Sequence, residues 1–394
     1  MKATWLGYAA ALWSLLYGVF GVYWALGGDA VAYPFAPIDE DHRSASLLEG
    51  APAEAVGAAA GVLGLTGVLA GVALARGFGS GRLRTTLLWY GWGLGAVLAL
   101  VIPDYTLIAL AALWPVLIVF AFTGVPGPQD GVADILYWHR VHLIVVFAGG
   151  LLWVLAALAY RRRTAGACVR CGRDGRPGTD PAKLRRWGRR AVWVAVLSQI
   201  PYEVTRLAWY FGWPLGITDE FLKEIQETPG MLTMGLAAGL LSLGGAALTH
   251  GLTARWGEVF PRWTLFLAGR RVPPLLAVIP ATVVAVALIP AGLMSLRLVG
   301  DEAGWGVTGP SVFWTAWGAA LGVAALAYHL RRRGVCKRCG QDDRSPGTAQ
   351  PRTAEPAPGD IRPPRTQPAP SARRPLRTGP GTDVHRYGPA EYTP

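Results

Sequence analysis

Only four cysteines occur in the chain, and they come as two pairs with one spacing. Cys168 and Cys171 stand in Ala-Cys-Val-Arg-Cys-Gly, and Cys336 and Cys339 in Val-Cys-Lys-Arg-Cys-Gly. The shift between pairs is 336 − 168 = 168 residues. It also superposes Tyr160 on Tyr328 and Gly172 on Gly340, so each pair follows the end of an apolar segment and an arginine run. Cys-x-x-Cys can place two thiolates on one zinc ion at ~2.3 Å each, and a glycine after the second cysteine permits the tight turn of a knuckle. One knuckle is half of a tetrahedral site, and an internal repeat can bring two halves together. Arg170 and Arg338, inside the knuckles, would then offset the double negative charge of a four-thiolate zinc centre. Four protein ligands leave no open position, so such a zinc staples rather than catalyses. Two other readings stay open. The pairs are separate redox dithiols, although the βαβ context of thioredoxin-like motifs is missing, or they are reduced thiols in a cytoplasmic loop.

A second group of polar residues lies inside apolar sequence. Glu203 and Arg206 are three apart and share a helical face, with Gln199 four before Glu203. Charges at a membrane centre cost ~2.5–3.5 kcal/mol each on insertion scales, so the spacing predicts a buried, mutually partnered pair, either structural or functional. Asp104 follows Pro103 and is either a boundary residue or a polar group facing the apolar stretch after it. His139 and His142 are three apart, close enough to share a metal, but no third ligand is near and an interfacial placement is expected; His250 and His329 read the same way. No P-loop, dinucleotide fingerprint or nucleophile elbow occurs.

The elements that must position these residues are membrane spans. The chain has 394 residues, of which 52% are hydrophobic, with 51 Gly and 17 Trp. Many apolar runs approach the ~20 residues that cross a bilayer core. The fold class is an all-α polytopic membrane protein. The net charge of +12 sits in arginines beside apolar runs and in the tail, which marks topology and gives no reason to expect nucleic acid. Eight core spans are predicted, at about Trp5–Leu26, Val56–Ala75, Thr86–Ile102, Val141–Tyr160, Ala191–Trp213, Met231–Leu252, Pro274–Ser295 and Val312–Tyr328. The first is read as a retained span rather than a cleaved signal peptide. Aligning Tyr17 with Tyr202 also matches Leu12 with Leu197, Trp24 with Trp209 and Gly27 with Gly212. The second spans match at Gly57/Gly235, Gly61/Gly239 and Gly67/Gly245, where small residues let helices approach. At the Glu203 and Arg206 positions the first half has Gly18 and Gly21.

The organisation is therefore a first transmembrane repeat (1–160), an Arg-rich cytoplasmic loop with the first knuckle (161–190), a second repeat (191–330), the second knuckle (331–341) and a basic, Pro-rich disordered tail (342–394). Arginine clusters around both knuckles place them, and the C-terminus, inside a bacterial inner membrane. Four crossings per half satisfy that placement. The extra apolar stretch Tyr105–Phe122, divided at Pro115, suits a re-entrant hairpin, with a kinked ninth crossing as the alternative. Thr218 is placed to cap a short helix that starts at Asp219 and ends before Pro229-Gly230.

Tyr23-Trp24-Ala25-Leu26-Gly27-Gly28, the Gly-rich second span and the final span entering an arginine run resemble a family of uncharacterised four-span bacterial membrane proteins. Arg206-Leu207-Ala208-Trp209, Pro214-Leu215-Gly216 and the stretch Arg255–Trp263 resemble actinobacterial multi-pass integral membrane proteins of unknown function. The resemblance covers most of residues 1–340 and implies the architecture, with no catalytic residues to carry over.

The leading functional reading is a non-enzymatic membrane protein with a structural zinc staple, handling a small solute or ion at the repeat interface. A membrane thiol/disulfide redox enzyme is the second. A scaffold whose basic tail recruits anionic lipid or a cytoplasmic protein is the third.

Overall fold

The computed structural model describes residues 4–38, 46–110, 137–176, 178–299 and 304–342. They fall within one compact unit, Met1–Ala349. The helices are α1 (Trp5–Ala25), α2 (Ala53–Arg76), α3 (Gly81–Ala96), α4 (Trp138–Thr164), α5 (Pro181–Leu197), α6 (Ile200–Tyr210), α7 (Asp219–Glu227), α8 (Met231–Gly251), α9 (Pro274–Ser295) and α10 (Trp314–Arg332). A short turn of helix at Trp305–Thr308 and a 3₁₀ segment, Gly309–Phe313, lead into α10. No named strand occurs among the described residues. Six helical stretches are long and apolar enough to cross a membrane: α1, α2, α4, α8, α9 and the run Trp305–Arg332. The protein is thus an all-helical, multi-pass membrane protein. Its spans present large apolar side chains outward, as lipid requires; Leu65 on α2 and Leu241 on α8 are 66% and 69% exposed.

Two of the eight predicted spans take another form. The stretch assigned to Ala191–Trp213 starts earlier, at Pro181, behind an Asp180 cap, and breaks between α5 and α6 at Ser198-Gln199. Pro201 explains the break: it has no N–H to give the Leu197 carbonyl, and it disfavours helical geometry at Ile200. Side chains cover the loosened turn, with Ser198 Oγ donating to Val194 O at 2.7 Å and Gln199 Nε2 to Ala195 O at 3.1 Å. The stretch assigned to Thr86–Ile102 is α3 followed by a π turn, Val97–Val101, which ends against Pro103. The freed Val101 carbonyl accepts from Arg297 Nη2, just beyond α9, at 3.2 Å. Tyr105–Phe122 begins helically at 106–110, and the remainder, like the tail from residue 343, lies outside the described residues. The Thr218 cap forms as expected, Thr218 Oγ1 accepting from Phe221 N at 3.2 Å.

The glycines of α1 and α2 do what the sequence asks of them. A Cβ on Gly21 would lie 2.7 Å from the Gly57 carbonyl oxygen, one on Gly71 2.8 Å from the Ala11 nitrogen, and one on Gly64 2.8 Å from the Ser14 carbonyl oxygen. Backbone therefore meets backbone along the pair. Gly64→Val should push the helices apart and cost about 1–3 kcal/mol, the usual penalty of overpacking. Thermal unfolding in detergent measures it; a variant as stable as the parent would mean that these helices are not in this contact.

Several contacts recur in the two halves. Trp24 Nε1 donates to Val31 O at 3.0 Å and Trp209 Nε1 to Leu215 O at 3.0 Å. Gly27 and Gly212, three residues after each tryptophan, both have positive φ, 80° and 81°. Tyr160 Oη donates to Phe78 O at 2.8 Å, and Tyr328 Oη to Gly257 O at 2.6 Å. Arg163 donates to the Leu74 and Ala75 carbonyls at the end of α2. Arg331 donates to Leu252 O, just past the end of α8, at 2.8 Å. The arginine runs thus also cover the orphan carbonyls at helix C-termini.

Candidate metal centre and buried polar residues

Each knuckle is shaped by its own backbone. Cys168 N donates to Arg173 O at 2.8 Å and Gly172 N to Cys168 O at 2.8 Å; Cys336 N donates to Gln341 O at 3.0 Å and Gly340 N to Cys336 O at 2.8 Å. Gly172 and Gly340 have φ of 74° and 71°, a left-handed turn that side chains with a Cβ resist. The arginine runs set these turns at the ends of α4 and α10, where the two knuckles meet.

The four Sγ atoms lie within 4.8 Å of one another. The contacts between knuckles are Cys168–Cys336 at 4.0 Å and Cys171–Cys339 at 3.6 Å. A tetrahedral zinc with Zn–S of ~2.3 Å needs S···S edges of about 3.8 Å. The two contacts between knuckles are close to such an edge, and all four sulfurs are near enough to face one metal ion. All four cysteines are free, and Cys336 is buried while the others are half-buried. Backbone amides of Cys339 and Arg338 pull the Cys336 thiol down to about 6. The amide of Cys171 likewise lowers Cys168, whereas burial pushes Cys171 up, to about 12. A bound cation would reverse that rise, since a coordinating thiol is deprotonated outright.

Arginine stabilises this arrangement in a way the sequence did not reveal. Arg170 and Arg338 are exposed, and their contribution is backbone N–H, as in the two lowered thiols. The guanidinium that ties the knuckles is that of Arg173: Nη1 donates to Gln341 O at 2.9 Å and Nη2 to Gly334 O at 3.1 Å. Arg173 is 8% exposed. Its one available signal is that the aligned residue of the second copy is Gln341, a break in the repeat.

The predicted Glu203–Arg206 pair does not form. Arg206 turns away and donates to Gly306 O at 3.3 Å and Val307 O at 3.2 Å, with its guanidinium over the rings of Tyr202 and Trp209 at 4.5 and 4.2 Å. Its stem passes Gly235 and Gly239 of α8. In the first half the corresponding position is Gly21, whose backbone meets that of Gly57 and Gly61 directly. An arginine thus fills a gap that the first half closes with glycine. Glu203 Oε1 is buried and has no hydrogen-bond partner among the described residues. Gln199 is fully buried and accepts from Ser242 Oγ at 3.1 Å, joining the α5–α6 break to α8.

Asp104 stands apart from these three. It is fully buried, accepts from Thr106 N at 2.7 Å through Oδ1, and among the described residues has no hydrogen-bond partner for Oδ2. Arg297, bound to Val101 O, is within its electrostatic reach. His139, expected at an interface, is instead 3% exposed, its ring nitrogens 2.8 Å from Pro34 O and 2.8 Å from Ser46 Oγ. Those contacts occupy both nitrogens, so His139 and His142 do not share a metal in this arrangement. His142 lies among aromatic rings, 4.3 Å from Trp138 and 6.1 Å from both Tyr17 and Trp24 between centroids.

Set against protein-family models, curated proteins and solved structures, the chain matches none.

Proposed function

We propose that this is a bacterial inner-membrane protein made of two four-span repeats, stapled at its cytoplasmic face by one structural zinc held by Cys168, Cys171, Cys336 and Cys339. The observation that carries the reading is the convergence of four sulfurs, contributed by segments 168 residues apart, on one point. The equivalent tryptophan, tyrosine and arginine hydrogen bonds of the two halves support the repeat. α3 with its π turn, and α5 with α6, would serve as the remaining crossing of each half. Both are interrupted helices, which are tolerated in membranes where protein or water covers the freed backbone. The interface between repeats is the place for a small solute or ion. There the buried, half-satisfied carboxylate of Asp104 lies beside the π turn and Arg297, and intramembrane ionisable groups of this kind mark solute and ion pathways. The protein is not an enzyme in this reading.

The purified protein should contain about one zinc per chain, and metal analysis with a chelated control tests it. Two ions per chain would overturn the shared site. A metal-free protein with a reversible disulfide would favour the redox reading. Geometry argues against that reading, because both short sulfur contacts run between knuckles and all four thiols surround one centre. For topology, a membrane-impermeant thiol reagent applied to intact cells should miss all four cysteines, with permeabilised, chelated cells as the positive control. Labelling from outside would place the knuckles on the other face.

A further inference from the structure

A cleft of about 550 Å³ opens beside the second knuckle, lined by Arg185 of α5, Arg271, and Arg331, Arg332 and Arg333 at the end of α10. Glu258 and Asp342 are the acids on its wall, and Glu258 is taken up by Arg331 at 3.3 Å. Arg186 and Arg189 line an adjoining hollow with Arg185 and Arg331. Three of these arginines are held by the protein, Arg333 through Nη1 to Cys171 O at 3.5 Å. Arg331 donates to Leu252 O, and Arg332 donates to Val272 O at 2.9 Å and to Tyr328 Oη at 3.1 Å. Arg185, Arg186, Arg189 and Arg271 have no hydrogen-bond or ion-pair partner among the described residues. The positive charge of the cluster is thus gathered around one cleft, partly on arginines held by the protein and partly on arginines that it does not engage.

A second cavity, about 360 Å³, lies on the other side of the same loop. It is almost wholly apolar, lined by Leu276, Ala277, Pro280, Ala281, Val284 and Leu321 along the α9 and α10 surfaces, with Gly245, Leu248 and Leu252 at the end of α8. A short antiparallel ladder separates the two: Val259 bridges Arg271, Phe260 N donates to Arg270 O at 2.9 Å and Val272 N to Glu258 O at 3.0 Å. Along it, Glu258, Val259 and Arg271 line the basic cleft, while Gly257, Phe260 and Val272 line the apolar groove. The ladder lies between the end of α8 and the start of α9, beside the end of α10, whose Arg331 and Arg332 donate to Leu252 O and Val272 O. Nearby, Leu265 and Phe266 are 76% and 91% exposed, which fits a loop lying in the interface.

We infer that this loop is the seat of an anionic phospholipid, its phosphate held in the arginine cleft and an acyl chain laid in the groove between α8 and α9. Charge and shape select the occupant together. Arginine is the side chain suited to multidentate phosphate recognition, and basic pockets between spans at a membrane boundary hold acidic headgroups. A soluble phosphate compound would leave the groove unused. Residues 343–394 are net basic in sequence and so do not supply the anionic charge that the cleft calls for. The inference does not depend on the zinc site.

The test uses full-length protein in a neutral detergent, titrated with short-chain phosphatidylglycerol, short-chain phosphatidylcholine or inorganic phosphate, and read by binding and by melting temperature. Phosphatidylglycerol should bind and raise the melting temperature; phosphatidylcholine and inorganic phosphate should bind at least tenfold more weakly. The double variant R185Q/R271Q removes two arginines without structural partners, so it should fold as the parent does. At about 1 kcal/mol per arginine it should lose roughly thirtyfold in affinity for phosphatidylglycerol. Ala281→Phe, which fills the groove, should weaken the lipid and leave any phosphate binding unchanged. Equal binding of phosphatidylcholine, binding of inorganic phosphate as tight as the lipid, or undiminished lipid binding by folded R185Q/R271Q would each overturn the assignment.

Discussion

Replacing Cys168 and Cys171 with serine should release the zinc proposed above and unlock the two knuckles from each other. Two thiolates remain after that change, and a pair alone cannot close a tetrahedral site. Structural zinc in small fingers carries an apparent ~10–16 kcal/mol of binding free energy at neutral pH, which becomes folding free energy where the site does not pre-exist in the unfolded chain. Only part of that would appear as lost global stability here. The arms that hold the knuckles, Arg163 on the end of α2 and Arg331 on Leu252 O, belong to the helical bundle and persist without metal. The expected result is complete loss of bound zinc, a lowered melting temperature, and new protease sensitivity confined to the segment between α4 and α5 and to the residues after α10. The companion change of Cys336 and Cys339 should give the same result, because each knuckle supplies half of one site. If either double variant kept a full equivalent of zinc, the shared centre would be wrong. Arg173→Ala is the subtler companion: it leaves every ligand in place but removes two of the hydrogen bonds between knuckles, the one from Arg333 Nη1 to Cys171 O remaining, and should weaken retention of the proposed zinc under chelation rather than abolish binding.

Arg206→Met should cost about 3 kcal/mol, and Glu203→Gln less than about 1 kcal/mol. Arg206 gives charge-assisted hydrogen bonds to two carbonyls and stacks on two aromatic faces. Hydrogen bonds to charged groups are worth ~1.5–3 kcal/mol each at good geometry, and these are long, while a partly desolvated cation–π contact adds about 1 kcal/mol. Methionine recovers part of the packing along Gly235 and Gly239. Glu203 Oε1 has no hydrogen-bond partner to lose among the described residues, so neutralising that carboxylate removes a desolvation cost as well as a charge. A mutually partnered ion pair predicts something else, namely similar losses of ~3–5 kcal/mol for removing either member. Thermal unfolding of the two single variants in detergent separates these outcomes. Equal, large losses would restore the pair and contradict the carbonyl contacts of Arg206.

Much of the fold was legible because membrane spans announce themselves by length and apolar content. Pro274–Ser295 was read with the same bounds that the helix has, and the glycine pattern of the second span told of close approach. What failed was continuity. Ala191–Trp213 carries polar residues among many apolar ones, and a reading by apolar content passes over the effect of Pro201, which acts on the one carbonyl four residues earlier. The π turn at Val97–Val101 has no compositional mark at all. Side-chain partners were the least legible feature. Three-residue spacing put Glu203 and Arg206 on one face, but two carbonyls and two aromatic rings outcompeted a carboxylate for the guanidinium, and they come from residues about a hundred positions away and from the helix itself.

By itself the sequence determined that the chain is built of membrane-spanning helices, that the glycines of its second span let a neighbouring helix come close, and that each knuckle turns on a glycine after its second cysteine. These are local properties: apolar length, the missing Cβ and the φ of one residue are written within a few positions. The sequence also contained a 168-residue echo between its cysteine pairs, but an echo does not state a distance. Only the tertiary structure decided that four sulfurs stand near enough to face one metal ion, that Arg173 bridges the knuckles, that Arg206 fills a space which glycine closes in the first half, and that an arginine cleft backs onto an apolar groove across one ladder. Each of those depends on where α4, α5, α8, α9 and α10 end relative to one another, a packing outcome summed over the whole bundle that no local pattern encodes.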